Sequence, residues 1–554
     1  MADRAAAQQR RQLSKKLSQI FRMRGLSLRP DAMQPLMNAL SGDTDWETTL
    51  QAVLSEVQLQ NLKGGHVDAH AVRLAVDTLT SRVSHKPELR PEITDCFTMP
   101  RLRIDTQQRT LVREEAPTSL HAEPNSKASM YSVRLAMVEQ RVRRNDVFKP
   151  PILKDGVTQK EYLELTSIDA LLGRAGTRVI LGMLCELEEG KFFLEDAHST
   201  IQLDLSEAST TVGLFTRQAV VLAEGEVTVD GVFKVRQLGL PPPESRSASL
   251  AALGNLDTLH AHGPGSKPCA SSAAGTVQQP TKADELALKN AMVLVLSDLF
   301  LDQPAVLARI ASLLEGYEQV GRQSVGSGRA AVPLASFFTF VLCGNFASSS
   351  LATSNARPST LSEHFAELAK LINANRTLAK HSHFVLVPGP DDATVGAADV
   401  LPRAPLSASM TESLTTAATG AEHMTLATAP CRLSVCGQDI VILREDLLVK
   451  ARRACVLPPC TEEEPDLNVH LVKSVLDQAY LAPIPKSESA VFWEKDHSLW
   501  LHPSPDVLVL ADRQEQFQHV YEETLAFNPG SFSSGAHWMV YRPAHKGEAE
   551  QSSL

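Results

Sequence analysis

The chain has 554 residues, of which 43% are hydrophobic and 21% charged, the balance of a globular protein of about two to four domains. Its formal net charge of −10 argues against non-specific binding to a phosphate backbone, since that affinity comes mainly from Lys and Arg. No apolar run approaches the roughly 18 residues of a membrane span, and the 8 cysteines are scattered, so neither a membrane protein nor a disulfide framework is expected.

The first 16 residues lack the apolar core of a secretory signal; they are Arg-rich and acid-poor, a weak likeness to a mitochondrial transit peptide. Residues 10–24 place Leu13, Leu17, Ile20 and Phe21 at helical spacing before Gly25. Amphipathic stretches follow around Met33, Leu36, Met37 and Leu40, at Ala52–Leu59 and at Val72–Leu79, so 1–82 is expected to be a small helical domain. The helix at 10–24 carries six Lys/Arg and no acid, which suits a solvated face or contact with DNA or an acidic partner.

Residues 83–150 are expected to be a connector, with one extended piece around Phe97–Ile104 and a helix over 128–148, ended by Pro150–Pro151. In 151–240, strands are expected at Arg178–Leu187, Lys191–Glu195, Thr200–Leu205, Val220–Val229 and Val232–Leu238. Five short strands with Gly-containing turns point to an OB-fold barrel. Its residues 174–240 hold 6 Lys/Arg against 10 Asp/Glu, with Phe192, Phe193, Phe215 and Phe233 as the only aromatics. That favours packing against protein over binding single-stranded DNA.

Residues 241–285 read as a flexible linker. In 286–554, strands at Met292–Leu296, Phe337–Leu342 and His383–Val387 alternate with helices at Gln303–Leu314 and Leu361–Ala374. Later strands are expected at Leu433–Leu443, Leu508–Leu510, Thr524–Asn528 and Met539–Tyr541, with 393–425 a surface insertion. The whole is therefore α/β and multidomain. Cys431/Cys436 and Cys455/Cys460 have a zinc-like spacing, but Leu433–Leu443 is expected to be a strand and a separation of five puts the first pair on opposite faces, so buried or incidental cysteines are expected. His470, His497, His502 and His537 are read as structural or surface positions.

Functional groups in such sheets sit at the carboxyl ends of strands, here in the loops beginning Ser297-Asp298, Gly344-Asn345, Gly389-Pro390-Asp391 and Asn528-Pro529. These loops resemble those of calcineurin-like metallophosphoesterases, whose pattern D-x-H, G-D, G-N-H-[DE], a lone His and G-H-x-H holds two cations. Asp298 keeps the first Asp. Phe300 stands at the His, Asn345 at the bridging Asp, Pro390 and Asp391 at the Asn and His, Tyr480 at the lone His, and Asp512, within 511–514, at the last motif. These positions are read as vestigial, with no catalytic residue, cofactor or metal, although three aspartates leave room for weak binding of one hard cation.

An inactive phosphoesterase behind an OB domain resembles the B-subunits of replicative DNA polymerases. The texts Gly190-Lys191-Phe192-Phe193-Leu194-Glu195-Asp196, Leu342-Cys343-Gly344-Asn345-Phe346, Leu401-Pro402-Arg403, Leu443-Arg444-Glu445-Asp446-Leu447 and Asn528-Pro529-Gly530-Ser531-Phe532 resemble its epsilon branch. The resemblance implies an N-terminal domain similar to the C-terminal helical part of AAA+ ATPases. It also implies an accessory role in nuclear DNA replication: the DNA polymerase epsilon catalytic subunit as partner, contact with the replicative helicase through the GINS complex, and DNA met mainly through the complex. An active metal-dependent phosphoesterase and the corresponding accessory chain of another replicative polymerase are the alternatives.

Overall fold

The computed structural model describes most of 90–554, leaving aside 106–109, 115–117, 150–161, 172–175, 254–281, 326–330, 349–357, 393, 395–398 and 418–422, and short pieces of the first 89 residues. Met1–Glu88 and Leu89–Leu554 are separate compact units. In the first, Leu17, Phe21, Ala32, Leu36, Val67 and Val72 are buried. Ser27–Leu28 pairs in parallel with His66–Val67, a short sheet that helical spacing does not announce. Leu13, Ile20, Met37, Leu40 and Ala52–Leu59 lie outside the described residues.

In the second unit, the barrel strands are Arg178–Glu188, Lys191–Glu195, Thr200–Asp204, Val220–Val227 and Phe233–Gly239, with a short Ser209–Thr210 beside the last. The ring closes because Val220–Val227 pairs with both Arg178–Glu188 and Phe233–Gly239, and Thr200–Asp204 runs parallel to Phe233–Gly239. Gly190 and Gly231 turn the hairpins at φ +74° and +78°, a conformation that L side chains rarely adopt. Phe215 and Phe233 are buried among Ile180, Leu184, Leu194 and Val235, so these two aromatics form core and offer no stacking surface.

The remainder is a sandwich of two six-stranded sheets. The first runs in the order Met424–Leu426, His383–Val387, Phe338–Cys343, Met292–Leu296, His537–Tyr541, Ala549–Ser553, and its first four strands are parallel. The second runs Phe517–Tyr521, Thr524–Asn528, Val507–Ala511, Gln438–Arg444, Cys431–Val435, Glu92–Thr94. The strand period of two explains why the central strands are apolar throughout. Val293, Val295, Val341, Val385 and Val387 enter the core shared with the second sheet. Leu294, Leu296, Phe340, Phe384 and Leu386 face the helices Pro304–Gly321 and Pro358–Ala374.

Several expectations are corrected here. Leu433–Leu443 is not one strand but a hairpin, Cys431–Val435 with Gln438–Arg444. Cys436 and Gly437 both take positive φ, as a two-residue hairpin turn requires, and the apolar runs on either side hide the break. The connector supplies the edge strand Glu92–Thr94, and Arg101–Asp105 pairs with Thr110–Glu114, while Phe97–Met99 forms a turn instead of an extended piece. The connecting helix is Pro124–Arg144, with Pro near its first turn, and stops short of Pro150. The linker region holds helices at Arg246–Leu253 and Lys282–Asn290. The 393–425 region is more than a surface insertion: it holds the helix Ala408–Ala417 and an edge strand, Met424–Leu426.

Candidate functional site

Parallel strands deliver their carboxyl ends to one edge of a sheet, and here both sheets do so at the same place. Met292–Leu296 leads to Asp298, Phe338–Cys343 to Asn345 and His383–Val387 to Asp391. From the second sheet, Gln438–Arg444 ends in Arg444 itself, followed by Asp446, and Val507–Ala511 leads to Asp512 and Arg513.

These residues form a closed ring. Arg444 donates from Nη2 and Nε to Asp298 Oδ1, at 2.8 and 3.2 Å, and from Nη1 to Asp446 Oδ1 at 2.8 Å. Asp446 Oδ2 lies 3.6 Å from Arg513 Nε, and Arg513 Nη2 donates to Asp391 Oδ2 at 3.0 Å. Asn345 Nδ2 donates to Asp391 Oδ2 at 2.9 Å, the backbone N–H of Asp391 donates back to Asn345 Oδ1 at 3.0 Å, and Asn345 N–H reaches Asp298 Oδ1 at 3.4 Å. Asp298 has a φ of +56°, in the left-handed region that Asp tolerates better than most. The loops approach closely: a Cβ on Gly344 would strike the Asp392 carboxyl, and one on Gly389 would strike the Asn345 side-chain amide.

Burial divides the ring. Arg444 and Asp298 are almost wholly enclosed, whereas Arg513 and Asp391 are partly exposed. Burial opposes the charge on Arg444, but Asp298 and Asp446 outweigh it and hold the guanidinium pKa above its ordinary value. Beside the ring, burial pushes Asp392 up to about 6 despite the N–H groups of Phe346 and Gly389. Asp512 is likewise pushed up to about 6 by burial and by neighbouring Asp446, while accepting from the Leu448 N–H. Behind Arg444, its carbonyl accepts from Arg403, which is ion-paired with buried Glu445; Lys450 holds the same carboxylate at 2.8 Å. Burial pushes Glu445 up, yet Arg403 and Lys450 overcome it and hold its pKa down at about 2.

The structure therefore brings together Asp298, Asn345 and Asp391, with Asp512 alongside. Pro390 contributes the turn and is partly exposed. Phe300 does not join the ring; its side chain packs against the apolar core beneath the helices. Tyr480 belongs to a different set of contacts: it follows the helix Leu467–Asp477, donates to Asp496, accepts from Lys486 Nζ at 2.9 Å, and lies under the Arg134 guanidinium. At the strand ends it is Arg444, and not Tyr480, that meets Asp298. In the sequence Arg444 shows only as part of a matching stretch; the available signal is a lone cation closing an apolar strand, two residues before an Asp.

The two-cation arrangement implied by the phosphoesterase resemblance does not fit these residues. Among the described residues, no group of three or more His, Cys, Asp or Glu is placed to hold a metal ion. Asp298 Oδ1, Asp446 Oδ1 and Asp391 Oδ2 already accept from guanidinium, and added dications would meet two positive charges. Cys431 is buried in the core, Cys436 is exposed in the hairpin turn, and Cys455 and Cys460 are partly buried. His470 is structural: it is buried, and its ring nitrogens face Gly213 and the Glu464 carbonyl at 2.9–3.1 Å.

A family model described as DNA polymerase epsilon subunit 2-like, OB-fold domain, matches residues 124–242, one for DNA polymerases epsilon N terminal matches 9–79, and one for the B-subunit of DNA polymerase alpha/epsilon matches 293–519. The DNA polymerase epsilon B-subunit of Arabidopsis thaliana is 32% identical, over 98% of this chain and 99% of that protein. The chain belongs to the DNA polymerase epsilon B-subunit family. DNA polymerase epsilon subunit 2 of Homo sapiens is 33% identical over 96% of this chain and 97% of its own, and that of Drosophila melanogaster 30% over 96% of each. A solved archaeal phosphodiesterase has a TM-score of 0.25 at 12% identity, covering 48% of this chain and 99% of its own, too slight to establish a shared fold. Two of the family matches between them span the described barrel and the strands that build the ring.

Proposed function

We propose that this member of the epsilon B-subunit family is a non-catalytic scaffold of the nuclear DNA polymerase epsilon complex. Its barrel and its sandwich, read as a calcineurin-like phosphoesterase that has lost its chemistry, hold the C-terminal region of the catalytic subunit. Its N-terminal unit ties the polymerase to the replicative helicase through GINS, and DNA is met mainly through the assembly. Tethering raises the local concentration of polymerase without new chemistry. The observation that carries the non-catalytic reading is the ring: Arg444 occupies the strand ends, where phosphodiester hydrolysis would need a metal-bound water or another nucleophile. The acidic barrel, with Phe215 and Phe233 in its core, supports protein contact over direct DNA binding.

The test is turnover of a generic phosphodiester in Mn²⁺ by the purified full-length chain. The expected result is a rate indistinguishable from that of Asp298→Ala. Turnover that this substitution abolishes would sink the reading.

A further inference from the structure

We propose that Arg134 and Lys486, with the side-chain amide of Gln218, form a binding site for one small inorganic oxyanion of the sulfate and phosphate class. The site lies at the seam where the helix Pro124–Arg144, the barrel and the sandwich meet. The helix supplies Arg134, the loop leading into the barrel strand Val220–Val227 supplies Gln218, and Lys486 follows the sandwich helix Leu467–Asp477.

The cluster carries more positive charge than it pairs. Arg134 is 5% exposed and lies 3.8 Å from the centre of the Tyr480 ring, and Lys486 Nζ lies 4.8 Å from the same centre. The carboxylate of the group, Asp496, is buried, and its two oxygens accept from Tyr480 Oη and Trp500 Nε1. Among the described residues, neither cation has a carboxylate at ion-pair distance. Burying a cation without an anion is costly, so the site favours one from outside. The donors are also unspent. A guanidinium stacked on a ring keeps its in-plane N–H groups for hydrogen bonds. Arg134 makes none to the described residues, and its nitrogens are not sealed from solvent. Lys486 Nζ donates to Tyr480 Oη at 2.9 Å and keeps its other N–H groups. Gln218 Oε1 accepts from Tyr131 Oη at 2.9 Å and from the Lys486 backbone N–H at 3.1 Å, which leaves the Gln218 amide nitrogen as a further donor. In keeping with this excess of charge, burial and Arg134 push the Lys486 amine down to about 7, and Asp496 offsets them only in part.

An oxyanion suits this set because it presents several acceptors at once. Two of its oxygens take paired in-plane N–H groups of Arg134 while another meets Lys486, an arrangement that chloride, with a single centre, does not reproduce. The bound ion bridges Arg134 of the helix to Lys486 of the sandwich, and so becomes part of what holds the helix on the sandwich.

The test uses the full chain in chloride buffer below pH 7 and adds millimolar sodium sulfate, against sodium chloride at equal ionic strength. Melting midpoints are read for wild type, Arg134→Gln, Lys486→Met and, as a control on the same helix, Arg143→Gln; isothermal titration calorimetry counts the sulfate bound. Wild type and Arg143→Gln are expected to gain roughly 2–4 °C more from sulfate than from chloride, a gain that saturates with concentration. Calorimetry is expected to find one sulfate per chain. Arg134→Gln and Lys486→Met are expected to lose both the gain and the binding. A wild type that responds to sulfate and chloride alike, a response that rises without saturating, or one that survives in either site variant would each overturn the proposal. If Arg134→Gln fails to fold, Lys486→Met decides by the same reading, since Lys486 is only half-buried.

Discussion

At the scale of single residues, the strand-end region is dominated by buried ion pairs whose worth shows when one partner is removed. Glu445 is 1% exposed, and its pKa falls from 4.5 to about 2, because Arg403 and Lys450 outweigh the cost of burial. A carboxyl depressed in this way contributes stability that is fully present above its unfolded value and lost as pH falls through its folded value. The contribution at neutral pH is on the order of 3 kcal/mol. Glu445→Gln should therefore cost about 3 kcal/mol at pH 7, because it leaves Arg403 buried without its carboxylate. The difference from wild type should close as pH falls from 4.5 toward 2, read by denaturant unfolding at a series of pH values. An unchanged difference at the acid end would show that the loss comes from packing and not from charge.

Among the elements, the helix Pro124–Arg144 shows how barrel and sandwich are held together. Val138 and Val142 pack on Leu181 and Val220 of the barrel, while Met137 enters the sandwich core. Near its end, Arg141 donates to the carbonyls of Asp477 and Leu476, and Arg144 pairs with Glu244 at 2.7 Å. A second seam runs from the loop at 213–220 to the helix Leu467–Asp477: Leu214 N–H donates to Ser474, and the Gln478 amide makes a reciprocal pair with the Val220 backbone, at 2.9 and 2.6 Å. Val142→Asp buries an unpaired carboxylate in the first seam and should destabilise the chain by roughly 3 kcal/mol or more. Faster proteolytic cleavage between helix and barrel would accompany it, whereas a substitution at half-buried Glu139, which meets only Arg143 on its own helix, would do neither. The helix is legible from its spacing, and so are the barrel strands and the central parallel strands, because uninterrupted or alternating apolar runs state their own period. The 431–444 hairpin is not, since its two strands read as one apolar run and its turn depends on positive φ at Cys436 and Gly437. Arg444 is hidden for another reason: its partner Asp298 lies 146 positions away, and only the meeting of two sheets gives that cation a role.

For the molecule as a whole, the barrel, the sandwich and the separate N-terminal unit match the epsilon B-subunit family along nearly the full chain, so the decisive question is which polymerase the protein joins. The most direct measurement offers the purified full-length chain the C-terminal regions of the epsilon, delta and alpha catalytic subunits together in one pull-down. Stoichiometric retention of the epsilon fragment alone is expected, stable to salt that strips weak ionic contacts. Retention of the delta or alpha fragment in its place would contradict the scaffold role proposed for this chain.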